Sequence, residues 1–346
     1  SETAFRIKIS SIFSNCADYS INTVIVQVRP NSDAFYQSDL FPATEYLSGT
    51  QGEYIGYDAL KIITEEAALF GLSVHAWVNP YRVSKDTDFM ALAVTNPARI
   101  WYENDPETRN LIVCDNGIYY NPACLDVQRM IIDGIREIVE RYDIDGIHLD
   151  DYFYPTTDSS VDAADYSDYK EAGGTLSLDN WRRANVDNLV SGIYSAVKAI
   201  DETVQFGISC SGDIDKNYNS LYADVYEWSS NTGYVDYLMP QIYFGYENEK
   251  KPFLQTAGDW AELIGEESKI SLYCGIAVYK AGEIDENAGT GQNEWCENND
   301  ILSRQLSDIN SIPEYGGYSF YSYSYLISDN ANEVAKQELE NLKEII

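Results

Sequence analysis

Short runs rich in aliphatic and β-branched residues alternate along this chain with longer amphipathic stretches, and this alternation limits the possible folds more than any other feature. Seven runs are predicted strands, at residues 21–29, 72–79, 145–150, 204–211, 237–243, 270–279 and 317–325. Helices are predicted at residues 3–19, 57–70, 126–142, 180–201, 252–265, 299–311 and 331–345. Strands that alternate with helices build parallel sheets, so we expect an α/β fold.

The polarity of the strands favours a barrel. In each strand one alternating set of side chains is polar or aromatic and the other is aliphatic, as expected if one face of the sheet lines a polar centre. The longest connections, residues 30–56, 83–122, 152–179 and 280–298, all follow strands, where a TIM barrel builds its active site. The chain opens on a helix instead of a strand. We therefore predict a TIM (β/α)8-type barrel whose first strand is absent from this chain.

The 346 residues are expected to form one domain, 1–346. Barrels of this kind run past about 250 residues as one unit. The sequence contains no internal repeat, low-complexity segment or flexible linker that would mark a second domain.

The net charge of −33 argues against two classes of partner, nucleic acids and anionic membrane surfaces, because both would repel this protein. No apolar run approaches the roughly 20 residues of a membrane span. The six cysteines form no CxxC pair, and two histidines are too few for a binuclear zinc site. We therefore expect no metal and no cofactor.

The segment DGIHLDDYFYP at residues 145–155 carries the clearest chemical signal. It is a predicted strand that ends in two adjacent carboxylates, Asp150 and Asp151, followed by aromatic residues. Charges at a strand end are costly unless they are paired or used. Asp150 shares the inward alternation of His148 and Tyr152. The structural alternative is an ion pair that joins Asp150 to Arg29 or Arg82.

Six motifs carry a family resemblance: QVRP at 27–30, DAFY at 33–36, HAWVNPYR at 75–82, DGIHLDDYFYP at 145–155, MPQIY at 239–243 and NEW at 293–295. In this order they resemble the bacterial glycosyl hydrolase-like 10 family. The resemblance implies a TIM-barrel glycoside hydrolase of the cell envelope, in some relatives an enzyme acting on peptidoglycan glycan strands. It also implies an extracellular or envelope location after removal of a signal. The sequence itself leaves a cytoplasmic location open, because it begins at Ser1 without a signal peptide.

Glycosidases use two carboxyl groups, one to protonate the leaving oxygen and one as nucleophile or base. We predict Asp150 as the main catalytic carboxylate and rank Asp151 first as its partner, with Asp33 and Glu294 as alternatives. The rival interpretation is a non-catalytic glycan-binding barrel. A metal-dependent polysaccharide deacetylase is disfavoured by the shortage of histidines.

The predicted substrate-binding residues supply aromatic faces, hydrogen-bonding groups and two cations near the strand ends. They are Arg29, Asp33, Tyr36, His75, Trp77, Asn79, Tyr81, Arg82, His148, Tyr152, Tyr154, Gln241, Tyr243, Tyr279 and Trp295. Aromatic rings with polar tips suit sugar faces, although each could equally be a core residue. The arginines could grip a substrate carboxylate, such as the lactyl group of muramic acid.

Overall fold

A computed structural model describes residues 1–265, 268–327 and 331–346 of the chain. Its strands are β1 (Thr23–Arg29), β2 (Ser73–Val78), β3 (Arg82–Ser84), β4 (Leu111–Cys114), β5 (Gly117–Tyr120), β6 (Gly146–Leu149), β7 (Gln205–Ile208), β8 (Tyr237–Leu238), β9 (Ser271–Ala277) and β10 (Tyr315–Tyr321).

The α-helices are α1 (Glu2–Asp18), α2 (Glu45–Ser48), α3 (Ala59–Phe70), α4 (Pro97–Asn104), α5 (Leu125–Arg141), α6 (Ala163–Glu171), α7 (Leu178–Ile200), α8 (Ile214–Asn219) and α9 (Val225–Ser230). They continue with α10 (Phe253–Ile264), α11 (Glu294–Glu297), α12 (Ile301–Ser311), α13 (Tyr323–Leu326) and α14 (Glu333–Lys343). Short 3-10 turns lie at Phe89–Ala91, Val278–Lys280 and Gly289–Gly291. Across these ranges, no helix combines the length and the apolar character that a membrane crossing requires.

Seven strands form one sheet in the order β1-β2-β6-β7-β8-β9-β10, with parallel pairing. Each corresponds to a strand predicted from the sequence, and the predicted alternation with helices is confirmed. The strand at 237–243 is shorter than predicted, because Pro240 has no N–H to donate to a neighbouring strand. Beyond it, Gln241 makes only isolated bridges to Ser211 and Gly275.

The chain folds into two compact units. The first comprises Ser1–Ala17, Ile21–Phe206 and Tyr218–Asp224, and the second comprises Asp18–Ser20, Gly207–Asn217 and Val225–Ile346. The prediction of a single domain over 1–346 stays a prediction. In the first unit, a small antiparallel sheet of order β3-β5-β4 occupies the long connection after β2, and the sequence did not predict it.

The core of the first unit is organised by α5. Its residues Val127, Ile131, Ile135 and Ile138 recur at helical spacing and are fully buried. Burial of each such side chain stabilises the fold by roughly 1.5–3 kcal/mol. This apolar stripe packs the helix into the core. Because β6 follows the helix closely in the chain, the packing also helps to position the end of β6.

In the second unit, α14 supports the start of α12. The side chain of Asp300, the residue before α12, makes no capping hydrogen bond, and the buried Glu338 of α14 accepts the backbone N–H of Leu302 instead. The other oxygen, Oε2, is buried without a hydrogen-bond partner among the described residues. Burial, assisted by the charge of Asp300, raises the pKa of Glu338 to about 7, although the backbone N–H groups and Arg304 oppose this rise.

We expect Glu338→Gln to stabilise the protein at pH 8 and to have little effect near pH 4. The folded-state pKa of Glu338 lies above its unfolded value, so the folded state binds the extra proton and its contribution to stability is lost as pH rises through about 7. A glutamine keeps an acceptor for Leu302 without a charge. The expected gain is about 1–3 kcal/mol at pH 8, measured by urea denaturation.

The control is Glu340→Gln, an exposed position on the same helix, which should change stability little at either pH. A Glu338→Gln protein that is less stable than the unmodified protein at pH 8 would contradict this assignment.

Candidate active site

Two adjacent carboxylates follow the last residue of β6. Asp150 and Asp151 are 8% and 9% exposed, so both are largely removed from water. Asp150 Oδ1 accepts the backbone N–H of Asp151 at 2.8 Å, which orients the first carboxylate and stabilises its negative charge. The chain then turns, with the N–H of Phe153 donating to the carbonyl of Asp151 at 3.2 Å. The strand end thus presents two carboxylates on a fixed backbone.

Tyr152 and Arg82 complete this group, which we call the carboxylate cluster (Arg82, Asp150, Asp151 and Tyr152). The Arg82 guanidinium lies 4.3 Å over the Tyr152 ring, and Tyr152 is 46% exposed. The pKa of the Tyr152 hydroxyl is raised by burial, then by the charges of Asp150 and Asp151, and is lowered by Arg82. The cation and both carboxylates therefore act on one hydroxyl. An exposed aromatic ring backed by a cation is suited to contact a sugar.

His75 of β2 packs against β6, the strand that leads to the cluster. It pairs in register with Gly146 of β6, and a Cβ built on Gly146 would stand 2.6 Å from His75 Nδ1. Only glycine therefore leaves space for this ring. His75 is 7% exposed, and burial lowers its pKa although the nearby charge of Asp145 opposes the change. A buried neutral imidazole supports the strand pair.

His148 and Trp77 lie side by side on neighbouring strands. Their rings meet edge to face with centroids 6.4 Å apart, and burial lowers the pKa of His148 to about 3. The Trp77 indole N–H donates to Asn79 Oδ1 at 2.8 Å, and the Asn79 amide donates to the carbonyl of Pro30 at 3.1 Å. Trp77 is partly exposed and held in orientation, so it remains a candidate sugar platform. His148 is 4% exposed and stays neutral at physiological pH, which suits a packing role.

Arg29 lies elsewhere than the sequence predicted. The register of β1 against β2 shifts between Gln27 and Arg29, and the Arg29 guanidinium packs 4.4 Å over the Phe41 ring. Its Nη1 reaches α5, 2.5 Å from where a Cβ on Gly134 would stand. Arg29 is 1% exposed, so it cannot grip a substrate carboxylate in this conformation. The sequence predicted Arg29 as a substrate-binding cation, and the structure corrects this, because the bulge directs the side chain toward Phe41 and α5.

Asp33 and Tyr36, in the loop after β1, are also buried. Asp33 is 1% exposed, accepts a hydrogen bond from Gln51 Nε2 at 3.0 Å, and has a pKa raised by burial. Burial likewise raises the pKa of Tyr36 to about 12, against the opposing charge of Arg29. Both side chains therefore fix the loop, and neither is placed to touch a substrate.

Tyr81 and Tyr154 belong to the core as well, at 0% and 3% exposed. Tyr154 packs edge to face on Tyr222 with centroids 5.1 Å apart, and the guanidinium of Arg182 lies 5.1 Å from each ring. Their ring faces are therefore not available for the sugar stacking that the sequence predicted.

Arg182 of α7 anchors the segment that follows the carboxylate cluster. It is 0% exposed and forms a bidentate ion pair with Asp162. Its Nη2 donates to Oδ1 of Asp162, and its Nε donates to Oδ2 at 2.8 Å. Its remaining donors bind the Tyr222 hydroxyl at 2.9 Å and the carbonyls of Thr157 and Asp158 at 3.3 and 2.7 Å. The loop after β6 is thus tied to α7 by one buried cation. The sequence analysis missed Arg182, because this residue belongs to none of the motifs.

In the second unit, Glu294 and Trp295 have structural roles. Glu294 is 4% exposed and accepts the backbone N–H groups of Tyr246 and Glu247, each at 2.9 Å. Trp295 is 1% exposed and packs against Gly245. Glu294 therefore holds a turn, and Trp295 offers no open face to a sugar, contrary to the prediction for that loop.

The other predicted residues of the second unit differ in exposure. Gln241 donates to the carbonyl of Ser209 at 3.3 Å and is held by the backbone. Tyr243 and Tyr279 are partly exposed, and their rings meet edge to face 5.9 Å apart. They remain candidates for ligand contact. Tyr321 and Tyr325 join them, and sequence reasoning missed both, although tyrosines alternate along residues 321–325 at strand spacing.

The chemistry available at the carboxylate cluster is proton transfer and nucleophilic or electrostatic assistance by carboxylates. Within residues 1–265, 268–327 and 331–346 no group of three or more histidine, cysteine or acidic side chains is arranged to hold a metal ion. Glycoside hydrolases use a pair of carboxyl groups, and this cluster supplies two of them.

The chain is similar to proteins described as glycosyl hydrolases. A family model described as glycosyl hydrolase-like 10 matches residues 6–296. The chain is 37% identical over 278 residues to the glycosyl hydrolase YngK of Bacillus subtilis, covering 75% of this chain and 53% of that protein. It is 31% identical over 330 residues to the glycosyl hydrolase DigH of Escherichia coli, covering 88% of this chain and 73% of that protein. The chain thus spans about half the length of the Bacillus relative.

Solved structures with a similar fold include the PgaB (BpsB) glycoside hydrolase domain from Bordetella bronchiseptica, with a TM-score of 0.63 and 12% identity over 97% of this chain and 92% of that one. An α-L-fucosidase from Paenibacillus thiaminolyticus follows with a TM-score of 0.58 and 11% identity, over 97% of this chain and 45% of that one. At such identities the likeness concerns the fold alone. It confirms the predicted TIM-barrel class, with seven strands in the main sheet of the described residues and the first strand absent.

Proposed function

This chain belongs to the glycosyl hydrolase-like 10 family, and on that premise we propose that it hydrolyses glycosidic bonds in a bacterial cell-envelope polysaccharide, namely the glycan strands of peptidoglycan. The observation that carries the proposal is the pair Asp150 and Asp151 at the end of β6, beside an exposed ring and a cation. The names of the Bacillus and Escherichia relatives support hydrolysis of a glycan. An extracellular or envelope location follows from the proposed substrate.

In the proposed mechanism, Asp150 carries the negative charge that stabilises an oxocarbenium-like transition state, either as nucleophile or as electrostatic partner. The backbone N–H of Asp151 donates to Oδ1 of Asp150 and holds the carboxylate in orientation. Asp151 protonates the leaving oxygen as the glycosidic C–O bond breaks. A water molecule then supplies the new C–O bond at the anomeric carbon and gives its proton to a carboxylate of the pair. Tyr152 offers its exposed ring to the sugar, and Trp77, oriented by Asn79, provides a second platform.

Arg82 gives the cluster a means to recognise an acidic sugar. The residue is partly exposed, although its Nε is buried without a hydrogen-bond partner among the described residues. A partly exposed arginine can take up a carboxylate, as on the lactyl group of muramic acid. This role, predicted for both Arg29 and Arg82, is retained in our proposal for Arg82 alone.

The test is digestion of purified peptidoglycan glycan strands, with and without their peptide stems, followed by mass analysis of the released fragments. We expect new reducing ends, because hydrolysis of each glycosidic bond creates one. Boiled protein is the control. Binding to the strands without new reducing ends would favour the rival, a non-catalytic glycan-binding barrel. If the protein neither binds nor cleaves the strands, with or without their peptide stems, the proposed substrate is refuted.

A further inference from the structure

Four tyrosines come together in the second unit where three neighbouring strands end. Tyr243 follows β8, Tyr279 follows β9, Tyr321 ends β10 and Tyr325 lies in α13. The rings of Tyr243 and Tyr321 are nearly parallel with centroids 5.9 Å apart, and Tyr279 stands perpendicular to both at 5.9 and 6.1 Å. Tyr325 lies 5.9 Å from Tyr279. We call these four residues the tyrosine patch.

The patch is exposed and its base is fixed. Tyr321 and Tyr325 are 43% and 48% exposed, which is unusual for large rings that pack against one another. Beneath them, Lys280 donates to the carbonyl of Tyr243 at 2.6 Å and forms an ion pair with the buried Asp285 at 2.6 Å. The backbone that presents Tyr243 is therefore held by a neutralised charge pair, and the rings present a fixed surface to solvent.

A cavity of about 440 Å³ adjoins the patch, with Tyr279 and Tyr325 among its walls. This volume falls in the range of small-molecule sites, roughly 300–1,000 Å³. The other lining residues combine two polar side chains with aliphatic ones: Val278, Ala281, Glu283, Ala331, Asn332, Ala335 and Leu339. Among the described lining residues there is neither a lysine nor an arginine, so this lining does not favour an anionic ligand.

We propose that the tyrosine patch and its cavity bind a neutral N-acetylhexosamine ring of a glycan. The apolar face of a pyranose packs on an aromatic ring, while its hydroxyl and acetamido groups need hydrogen-bonding partners at the rim. Tyrosine supplies both a face and a hydroxyl, and Glu283 supplies an acceptor. The choice of glycan class rests on the proposed function. The binding surface itself rests on the exposure and geometry of the four rings.

The experiment measures binding of a soluble β-linked N-acetylglucosamine hexamer by titration calorimetry. Asp150→Asn serves as the background, so that the probe is not consumed. We expect Tyr321→Ala and Tyr325→Ala each to weaken binding about 5–10-fold, because each removes one ring contact. Tyr321→Phe should retain most of the affinity. Tyr46→Ala, which removes a tyrosine that is 61% exposed in the first unit, is the matched control and should leave the affinity unchanged.

Unchanged affinity in both alanine variants would overturn the proposal, as would failure of the Asp150→Asn protein to bind the hexamer. Binding of an apolar peptide, but not of the hexamer, would assign the patch to a protein partner and overturn it too. Digestion of glycan strands by the unmodified protein is measured in parallel. If the protein cleaves the strands but the alanine variants bind the hexamer with unchanged affinity, only the proposal for the tyrosine patch is refuted. If the alanine variants lose affinity but the unmodified protein cleaves nothing, only the proposed hydrolysis is refuted.

Discussion

Replacement of Asp150 by asparagine should lower the rate of glycan hydrolysis by about a thousandfold or more while the protein stays folded and still binds glycan. The amide has the size of the carboxylate but lacks the negative charge that an oxocarbenium-like transition state requires. The amide oxygen can still accept the backbone N–H of Asp151, so the turn after β6 should survive. The rate is measured as new reducing ends released from glycan strands, and the fold by circular dichroism.

The matched control is Asp143→Asn, which removes one exposed carboxylate just before the same strand and should leave the rate unchanged. Asp151→Asn separates the two roles. If Asp151 is the general acid, its loss should affect natural glycans far more than substrates with activated leaving groups, which need no protonation. Near-normal hydrolysis by a folded Asp150→Asn protein would remove the main reason to regard this chain as an enzyme.

Replacement of Arg182 by methionine should lower the free energy of unfolding by about 3–5 kcal/mol, because it leaves Asp162 charged and buried without its partner. The carbonyls of Thr157 and Asp158 would lose their donors as well. We expect the loss in urea denaturation, with Arg182→Lys intermediate, since an ammonium cannot reproduce the two-pronged bond. Hydrolysis should fall together with stability, because the anchored loop continues from Asp150 and Asp151.

Arg109→Met provides the comparison. Arg109 pairs with Asp165 and Asp168 in the same unit, but its side chain is 51% exposed, so its loss should cost less than about 1 kcal/mol. Equal stabilities of the Arg182→Met and Arg109→Met proteins would show that the buried pair contributes no more than a surface one.

The order of strands and helices could be predicted because each depends on local pattern. The run DGIHLD places Ile147 and Leu149 on either side of His148 and lies between a helical stretch and a polar loop, and it forms β6 as expected. The antiparallel sheet of β3, β4 and β5 could not be predicted. Its strands have three or four residues, and β3 pairs with a partner that lies more than thirty residues further along the chain.

The site was predictable only as far as strand alternation holds. Alternation predicted that Trp77 and His148 lie on one face, and their rings are in contact. It misplaced Arg29, because a shift of one residue in a strand turns a side chain to the other face. For Asp33, Glu294 and Trp295 the residue types were suggestive, and burial decided against contact with substrate. Burial depends on the packing of distant segments, which a single sequence does not reveal.

The contact between His75 and Gly146 also has an evolutionary consequence. A side chain larger than hydrogen at 146 would overlap the imidazole, so a single mutation there is costly, by roughly 1–3 kcal/mol for an overpacked core. A smaller residue at 75 would first have to open the space. The two positions therefore constrain one another during evolution. A change at 146 becomes tolerable only after a smaller residue has replaced His75, so the order of the two substitutions matters.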